Sequence, residues 1–290
     1  MRPVKFSIIT PSFKQSAWLK LCVASIADQQ GVELEHIVQD PGSTDGTLDW
    51  LVKDPRVKAF VEKDSGMYDA VNRGFKRASG DILAYLNCDE QYLPGALQAV
   101  EETFKQNPDT DIVLADTVIV DDKGGFICCR KSLIPLRLWM WTYSPTLTSS
   151  IFIHQRVLTD FNLYFDTRWR DIGDAMWMKD ALNLRLKIAV LRRYTSIFTE
   201  TGDNMNLKPN AIREKRLSVR MTPTWARTLR WPLLQMHRIR AAANGLYWEK
   251  PFSYSLYTLK NPERRTEVAV AKPTGIWWQR HQDAIPPRPL

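Results

Sequence analysis

Short apolar segments alternate with amphipathic segments along the N-terminal part of the chain, and this alternation restricts the folds open to it. Strand-like composition occurs at 4–10, 34–39, 57–61, 81–86 and 111–120, and helical periodicity at 15–29, 44–53 and 67–78, with Pro94 opening another helix. Strands that alternate with helices imply right-handed crossovers between parallel strands. We therefore predict an α/β fold with a mostly parallel central sheet flanked by helices.

Polar residues cluster where the predicted strands end. The four clusters are Thr10–Ser12, Asp40–Asp45, Asp64–Asp69 and Asn87–Glu90. In an open α/β sheet, ligands bind outside the carboxyl ends of the strands. We therefore expect a binding site at this edge of the sheet, lined by hydroxyls and carboxylates.

The composition excludes several classes of protein. The chain has 290 residues, 44% hydrophobic and 25% charged, which is typical of a globular protein with a sizeable core. Its apolar runs are well short of the roughly 20 residues of a membrane-spanning helix, and its N-terminus lacks the features of a secretory signal. The four cysteines show no CxxC pairing. We therefore expect reduced thiols in a cytoplasmic protein, with neither a zinc site nor a disulfide framework.

Positive charge is concentrated in the C-terminal part of the chain. Residues 205–290 contain 16 Lys and Arg against 5 Asp and Glu, together with 5 of the 11 tryptophans, whereas residues 1–204 contain 24 against 27. We therefore predict two regions: a nearly neutral α/β body over 1–204 and a basic, helical, Trp-rich extension over 205–290.

Within this extension, arginines are interleaved with Trp and Leu at helical spacing over residues 213–240. The pattern suits a helix lying on an anionic membrane surface. It suits equally a helix that packs its Trp and Leu on the body and leaves a basic face in water. Both interpretations are open, and Pro232 should kink or divide any such helix. No nucleic-acid-binding motif accompanies the charge, so we expect no nucleic-acid partner.

Asp40 lies in the segment QDPGSTDGT, at the end of the second predicted strand. Its carboxylate is suited to accept a hydrogen bond from a nucleobase N–H. The same residue types are also typical of a turn followed by a capped helix. The sequence alone leaves both interpretations open.

Two adjacent carboxylates, Asp89 and Glu90, follow a hydrophobic strand in the segment LNCDE. Carboxylate oxygens are preferred ligands of Mg²⁺ or Mn²⁺, and such a cation takes its remaining ligands from water and substrate phosphates. The alternative is a solvated turn in which Asp89 caps the next helix. Their position at a strand end favours metal ligands.

A third acidic segment, WRDIGDAMWMKDAL, begins in a loop and becomes an amphipathic helix from about Asp174. Asp171 and Asp174 at its start suit either a helix cap, stabilised by the helix dipole, or a general base at the rim of an active site. Taken alone, the segment favours the cap.

Five motifs in order resemble those of an inverting glycosyltransferase of family 2, with the GT-A fold. They are FSIITPSF (6–13), QDPGSTDGT (39–47), EKDSGMYDAVNRGF (62–75), SGDILAYLNCDE (79–90) and GDAMW (173–177). The resemblance covers roughly residues 4–200 and is nearest to bacterial enzymes that build surface polysaccharides and lipopolysaccharide.

The resemblance assigns roles residue by residue. It implies that Asp174 is the catalytic base, with Asp171 as a rival, and that Asp89 is a metal ligand, with Glu90 as a second candidate. The residues that it places around the nucleotide and donor sugar are Thr10, Pro11, Ser12, Asp40, Asp64, Asp69, Asn72 and Asn87. Asn87 stands where the family often has an aspartate, and Glu90 replaces another.

The function implied is metal-dependent transfer of a sugar, with inversion, from a nucleotide-diphosphate sugar such as a UDP-sugar. The acceptor would be a hydroxyl of a glycan or of a lipid-linked molecule, and the cofactor Mg²⁺ or Mn²⁺. The protein would lie in the cytoplasm or on the inner face of the cytoplasmic membrane. The alternative is a catalytically silent nucleotide-sugar-binding or regulatory subunit.

Overall fold

The structure is a computed structural model, and it describes residues 4–138, 140, 147–202 and 209–276. The strands are β1 Lys5–Pro11, β2 Glu33–Asp40, β3 Lys58–Val61, β4 Ile82–Tyr85, β5 Gln91–Tyr92, β6 Ile112–Asp121, β7 Phe126–Arg130, β8 Ile151–His154, β9 Ile188–Glu200, β10 Phe252–Thr258 and β11 Asn261–Val270. The helices are α1 Ser16–Ala27, α2 Thr47–Leu51, α3 Met67–Arg77, α4 Ala96–Gln106, α5 Arg156–Thr159, α6 Gly173–Asn183, α7 Pro209–Met221, α8 Thr224–Thr228 and α9 Arg230–Ala243. A 3₁₀ turn at Thr148–Ser150 precedes β8.

One large sheet runs in the order β3-β2-β1-β4-β8-β6-β9-β5 within the described residues, with β7 added beside β6. Strands β1 to β4 pair in parallel, as does β9 with β6. Strands β5, β7 and β8 add antiparallel pairings. The predicted α/β fold with a largely parallel sheet is confirmed.

Alternate residues of the central strands pack on opposite faces of the sheet. On β1, Ile9 joins the buried cluster that lies against α3 and α6, whereas Phe6 and Ile8 join the cluster against α1 and α4. On β8, Ile153 and Phe152 divide in the same way. This period of two is what a strand buried on both faces requires, and each such side chain contributes about 1.5–3 kcal/mol of burial free energy.

The element boundaries agree with the predicted ones to within a few residues, except at α2. That helix was expected over 44–53 and begins only at Thr47. Gly46 has a φ of +84°, in the left-handed region, so the helix does not extend back through it. The Asp45 carboxylate, one residue before the Gly46 N-cap, accepts hydrogen bonds from the Thr47 backbone N–H and hydroxyl at 3.3 and 2.6 Å and so fixes the turn before the shortened helix.

The C-terminal region is helical only as far as α9. Residues 252–270 form an antiparallel hairpin of β10 and β11, which corrects the expectation of a purely helical extension. The hairpin is tied to α1 by Arg265, whose Nε and Nη2 donate to the Asp28 carboxylate at 2.6 and 2.8 Å. The side chain of Gln91 on β5 pairs with the backbone N–H and carbonyl of Tyr257 at 2.9 and 2.8 Å.

Helices α8 and α9 meet at Leu229, and Pro232 lies in the first turn of α9. A proline costs little there because the first N–H groups of a helix have no intrahelical partner. No helix among residues 4–138, 147–202 and 209–276 is both long and apolar enough to cross a membrane.

Candidate functional site

The carboxyl ends of β1, β2 and β4 bring the predicted site loops side by side. The Ser12 backbone N–H donates to the Gln39 carbonyl at 2.9 Å, and the Leu86 N–H donates to the Ile9 carbonyl at the same distance. The segments that follow these strands begin at Ser12, Pro41 and Leu86, so they leave the sheet at one edge. This is the edge at which the sequence predicts a binding site.

Asp40 is fully buried, and its carboxylate is satisfied by its own neighbourhood. One oxygen accepts the backbone N–H groups of Gly42 and Ser43 at 2.9 and 2.6 Å. The other accepts the hydroxyls of Ser12 and Ser43 at 2.9 and 2.8 Å. A carboxylate offers about four lone-pair sites, so all are taken. Asp40 therefore fixes the turn after β2, and a base N–H would have to replace one of these donors.

Thr10 and Pro11 are buried as well. The Thr10 hydroxyl faces the interior, where it is 2.8 Å from Nε2 of His36. Burial lowers the pKa of His36 to about 3, which keeps its imidazole neutral. Of Thr10, Pro11 and Ser12, only Ser12 makes a side-chain hydrogen bond to Asp40 among the described contacts.

Two of the predicted nucleotide-site acids follow β3: Asp64 lies in the loop before α3, and Asp69 lies in the first turn of α3. Asp64 accepts the Gly66 N–H at 3.0 Å, and burial raises the pKa of its carboxyl, with the charges of Asp69 and Asp40 adding to the effect. Burial works in the same direction on Asp69, but hydrogen bonds from Ser65 and from Arg73, at 3.2 Å, lower its pKa overall. The Glu62 backbone N–H donates to the Asp40 carbonyl at 3.0 Å, so the loop that follows β3 begins beside Asp40.

Asn72 has a different place from the one expected. Its side chain is buried, donates to the Phe165 carbonyl at 2.8 Å and accepts the Phe165 N–H at 2.9 Å. Asn72 therefore holds the strand-like segment that leads to α6, and both ends of its amide are engaged in the interior.

Asp89 and Glu90 form an acidic pair that is short of partners. Glu90 is 1% exposed, and one of its oxygens accepts the Asn87 N–H at 2.9 Å. The other oxygen is buried without a hydrogen-bond partner in the described chain. Burial raises the pKa of both carboxyls, and the charges of Asp89 and then of Asp174 raise that of Glu90 further.

This donor set fits a divalent cation. Two adjacent carboxylates with an unpartnered buried oxygen are hard ligands that lack a counter-charge, and Mg²⁺ and Mn²⁺ prefer such oxygens. No group of three or more His, Cys, Asp and Glu side chains within the described ranges could hold a metal ion. Asp89 and Glu90 would therefore need ligands from water or from a bound phosphate to complete a coordination shell.

Asp174 lies in the first turn of α6, against the aromatic cluster of the core. Its Oδ1 accepts the Tyr68 hydroxyl at 3.3 Å and the Ala175 N–H at 2.8 Å. It lines a small cavity together with Tyr85, Phe165 and Trp177. Burial raises the pKa of Asp174. Tyr85, which lines the same cavity, is the last residue of β4, the strand that precedes Asp89 and Glu90.

Asp171, the rival base, is held elsewhere. Its Oδ2 accepts the side-chain amide of Asn210 on α7 at 2.5 Å. The backbone N–H of Asp171 donates to Glu214, also on α7. The geometry favours Asp174 over Asp171 as the residue that faces the cavity.

Two residues of this site did not emerge from the sequence. Tyr68, inside the segment EKDSGMYDAVNRGF, donates to Asp174. Glu214 holds the loop before α6. Its one sequence signal is its charge, since it is one of five acidic residues among residues 205–290.

The sequence over residues 7–162 matches the model of the family described as Glycosyl transferase family 2. The chain belongs to this family. The predicted family is thereby confirmed. The matched segment contains Ser12, Asp40 and Asp89 and ends before Asp174.

Two curated glycosyltransferases resemble part of the chain. A PGL/p-HBAD biosynthesis glycosyltransferase of Mycobacterium tuberculosis is 35% identical over 120 residues, or 39% of this chain and 47% of that protein. A GalNAc(5)-diNAcBac-PP-undecaprenol beta-1,3-glucosyltransferase of Campylobacter jejuni is 32% identical over 102 residues, or 33% of each chain. The chain thus matches less than half the length of these relatives.

Solved structures resemble a larger share of the chain. TarS of S. aureus in complex with UDP has a TM-score of 0.55 at 18% identity, covering 83% of this chain and 74% of that one. The complex of TarS with UDP-GlcNAc has a TM-score of 0.54 at 21% identity, with coverages of 70% and 60%. The mannosyltransferase PcManGT from Pyrobaculum calidifontis, in complex with GDP-Man and Mn²⁺, has 0.51 at 18%, with coverages of 75% and 61%. At these identities the likeness concerns the fold, and it confirms the predicted GT-A architecture.

Proposed function

We propose that this family 2 member is a metal-dependent, inverting glycosyltransferase that takes a sugar from a nucleotide-diphosphate donor to an acceptor hydroxyl. The observation that carries the proposal is the convergence of Asp89, Glu90 and Asp174. Glu90 is 1% exposed, and Asp174 lines a cavity together with Tyr85, the last residue of the strand that leads to Asp89 and Glu90. Burial raises the pKa of all three carboxyls. Acids with such shifts, set at a ligand-binding sheet edge, are typical of functional sites.

Asp89 and Glu90 would hold the cation, with donor phosphate oxygens as further ligands. A divalent cation there supplies positive charge that stabilises the departing nucleoside diphosphate. Without the cation, burial raises the pKa of both carboxyls and the charge of Asp89 raises that of Glu90 further, so the pair favours a protonated form. Binding of the metal and donor would remove this repulsion.

Asp174 would act as the general base. Its Oδ1 is engaged by Tyr68 and Ala175, which leaves Oδ2 to take the proton of the acceptor hydroxyl. A raised pKa makes a carboxylate a stronger base, closer to the operating pH. The acceptor oxygen then forms its bond to the anomeric carbon as the bond to the diphosphate breaks on the opposite face. One base suffices because inversion needs no covalent sugar–enzyme intermediate.

The proposed donor and acceptor are based on the proteins that the chain resembles. A UDP-sugar is the proposed donor, since TarS is solved with UDP and with UDP-GlcNAc. A glycan or lipid-linked hydroxyl is the proposed acceptor, since one relative is named for an undecaprenol-diphosphate substrate. The division into a catalytic domain over 1–204 and an extension over 205–290 is likewise proposed.

The test is release of UDP from a panel of UDP-sugars with Mn²⁺ and candidate acceptors. Asp174→Asn is expected to lower turnover by about 10²-fold or more, because it removes the base, while UDP binding by calorimetry is retained. Asp171→Asn is the matched control and should stay within a few fold of wild type. Full turnover in Asp174→Asn would eliminate this base, and donor binding without any transfer would support the silent-subunit alternative.

We also propose that α7 to α9 face an anionic membrane surface. Trp231 is 71% and Ile239 69% exposed, so these residues do not pack on the body as the alternative interpretation required. Leu233 and Ala241 supply the packing side of α9. The one acidic residue of the three helices, Glu214, is buried, and the arginines therefore leave the surface cationic. Exposed Trp and Ile on a cationic helix match what an anionic lipid interface binds.

Vesicle flotation tests this surface without any reaction. The chain should float with anionic vesicles at low salt, less so at high salt, and not with neutral vesicles. The double variant Trp231→Ser and Ile239→Ser should lose most of the binding while folding normally. Absence of binding to anionic vesicles at every salt concentration would remove the proposal.

A further inference from the structure

Glu214, near the middle of α7, is saturated by the loop that leads into α6. Its Oε1 accepts the Arg170 backbone N–H at 2.9 Å and the Asn210 amide at 3.0 Å. Its Oε2 accepts the N–H groups of Asp171 and Ile172 at 2.9 and 3.2 Å. The side chain is 3% exposed. Four donors on one buried carboxylate are as many as its lone pairs accept.

Charge-assisted hydrogen bonds of this kind are among the strong ones in proteins. Burial alone would raise the pKa of Glu214, but the N–H groups of residues 170, 171 and 172 and the Asn210 amide hold it below its ordinary value. The residue is therefore ionised at neutral pH. Glu214 therefore orders the loop up to Ile172, the residue that precedes α6, whereas the Asp174 N–H in the first turn of the helix donates to the Tyr68 hydroxyl.

Three residues one turn apart on α7 contact α6 and its leading loop. Asn210 binds the Asp171 carboxylate, Glu214 binds the backbone of 170–172, and the Ser218 hydroxyl accepts from Lys179 Nζ on α6 at 3.1 Å. Positions i, i+4 and i+8 share one face of a helix. That face of α7 therefore lies along the loop before α6 and along α6 as far as Lys179, a stretch that includes Asp174.

The loop that Glu214 holds leads directly to Asp174. Gly173 is packed so closely on Tyr68 that an added Cβ would lie 2.6 Å from the ring. The Asp174 N–H in turn donates to the Tyr68 hydroxyl at 3.1 Å. Displacement of residues 170–172 would therefore move Gly173 off the Tyr68 ring and Asp174 with it.

We propose that Glu214 is a positioning residue for Asp174, so that helix α7, from the basic C-terminal region, is a working part of the active site. This inference rests on the proposed function of Asp174 as a base. Glu214 contacts neither substrate nor metal in this role. Glu214 acts through the backbone of residues 170–172. Helix α7, which lies outside the matched residues 7–162, is therefore needed for the reaction.

The test is Glu214→Gln, in which an amide N–H₂ replaces one of the two acceptor oxygens and faces N–H groups. A shift of about 1 Å in a catalytic group costs up to about 10²-fold in rate, so kcat should fall by about 10-fold to 10²-fold while the donor KM stays within about twofold. Glu101→Gln is the matched control, because Glu101 is a buried helical glutamate that pairs with Lys105 on α4. It should leave kcat unchanged.

The pH profile separates positioning from a general loss of stability. Burial raises the pKa of Asp174. The titratable groups that interact with it are Tyr68 on α3, Tyr85 on β4, Glu90 in the segment after β4, and Lys215 on α7. If the loop moves, Asp174 gains solvent and its pKa falls. The acidic limb of the kcat profile should then shift to lower pH in Glu214→Gln. An unshifted limb together with unchanged kcat overturns the proposal.

Hydrogen exchange gives a readout that does not need activity. The amides of residues 170–174 should exchange at least about 10-fold faster in Glu214→Gln than in wild type, and at the wild-type rate in Glu101→Gln. Unchanged exchange overturns the inference even if transfer is never detected, whereas missing transfer with faster exchange counts only against the proposed reaction. Should Glu214→Gln not fold, Asn210→Ala removes one donor and the Asp171 contact and should lower kcat severalfold; an unchanged kcat there also overturns it.

Discussion

Two groups of acids share one edge of the sheet and differ in how their oxygens are satisfied. The turn acids, Asp40, Asp45 and Asp69, accept hydrogen bonds from the N–H groups and hydroxyls of their own loops. The reaction acids are Asp89, Glu90 and Asp174. Burial raises the pKa of each reaction acid, and one oxygen of Glu90 has no partner in the described chain.

The difference teaches how a carboxylate's role follows from its partners. A saturated carboxylate is already neutralised by donors, so it builds a loop and has little left to offer a ligand. An undersatisfied buried carboxylate destabilises the free protein and gains from any cation or proton that arrives. The acids at this edge that are best suited to bind a ligand are therefore those whose carboxylates have the fewest hydrogen-bond partners in the unliganded chain.

Substitution by alanine should affect the two groups very differently. Asp40→Ala leaves the buried Ser43 N–H and the hydroxyls of Ser12 and Ser43 without their acceptor, and should lower the free energy of unfolding by about 3 kcal/mol. Asp89→Ala should change it by less than about 1 kcal/mol, because Asp89 accepts no hydrogen bond from another described residue and is repelled by Glu90. Denaturant unfolding of both variants with EDTA measures this. Equal losses would erase the distinction between the groups.

A divalent cation should act on one group only. With UDP present, Mn²⁺ at about 100 times its Kd should raise the free energy of unfolding of the wild type by about 2.7 kcal/mol over UDP alone. The gain should vanish in Asp89→Ala, which loses a ligand, and persist in Asp171→Asn. Thermal melts with and without EDTA follow it. A full gain in Asp89→Ala would place the cation elsewhere.

The smallest effect is on the pH dependence of stability. Because burial and then the charge of Asp89 raise the pKa of Glu90 above its ordinary value of 4.5, folding favours the protonated form. The free energy of unfolding should therefore be largest below pH 4.5 as far as this group is concerned, and fall as pH rises through the raised pKa. Glu90→Gln keeps the neutral form at every pH, so without metal it should be more stable than wild type by about 1 kcal/mol near pH 8.

A free energy of unfolding that rises with pH would contradict this prediction. If the wild type gained stability from pH 5 to 8 relative to Glu90→Gln, the carboxylate would be stabilised by a donor that the structure does not contain. Urea unfolding across that range, in EDTA, distinguishes the two cases.

The sequence predicts the parallel half of the sheet well. Strands such as FSIIT and DILAYL are apolar and β-branched, and the helices between them have a clear period, so local pattern and burial agree. It also predicts that Asp40, Asp89 and Asp174 lie at functional positions of one edge. For Asp40 and Asp89 the position at strand ends suffices, because parallel strands bring their carboxyl ends together by topology. The role of Asp174 is implied by the family resemblance, since its segment alone favours a helix cap.

What the sequence does not predict depends on contacts between distant segments. Asn72 is turned inward by the backbone of Phe165, and nothing near residue 72 signals that partner. The hairpin at 252–270 has polar and charged positions on its outer face and packs Tyr254 and Leu256 on the body. Glu214 stands in a basic helix whose pattern suggests only a surface. In each case the contacting residue is far away in the sequence, so the local hydrophobic pattern carries no information about it.

The ion pair between Arg265 and Asp28 joins residues 237 positions apart in the sequence. At a synthesis rate of about 5–20 residues per second, roughly 12–47 s pass between emergence of the first and arrival of the second. During that interval α1 and the short edge strand β5 are made but lack the hairpin that covers them. A nascent chain of this protein therefore spends much of its synthesis with that surface open to chaperones, and a chain cut short before the hairpin never seals it.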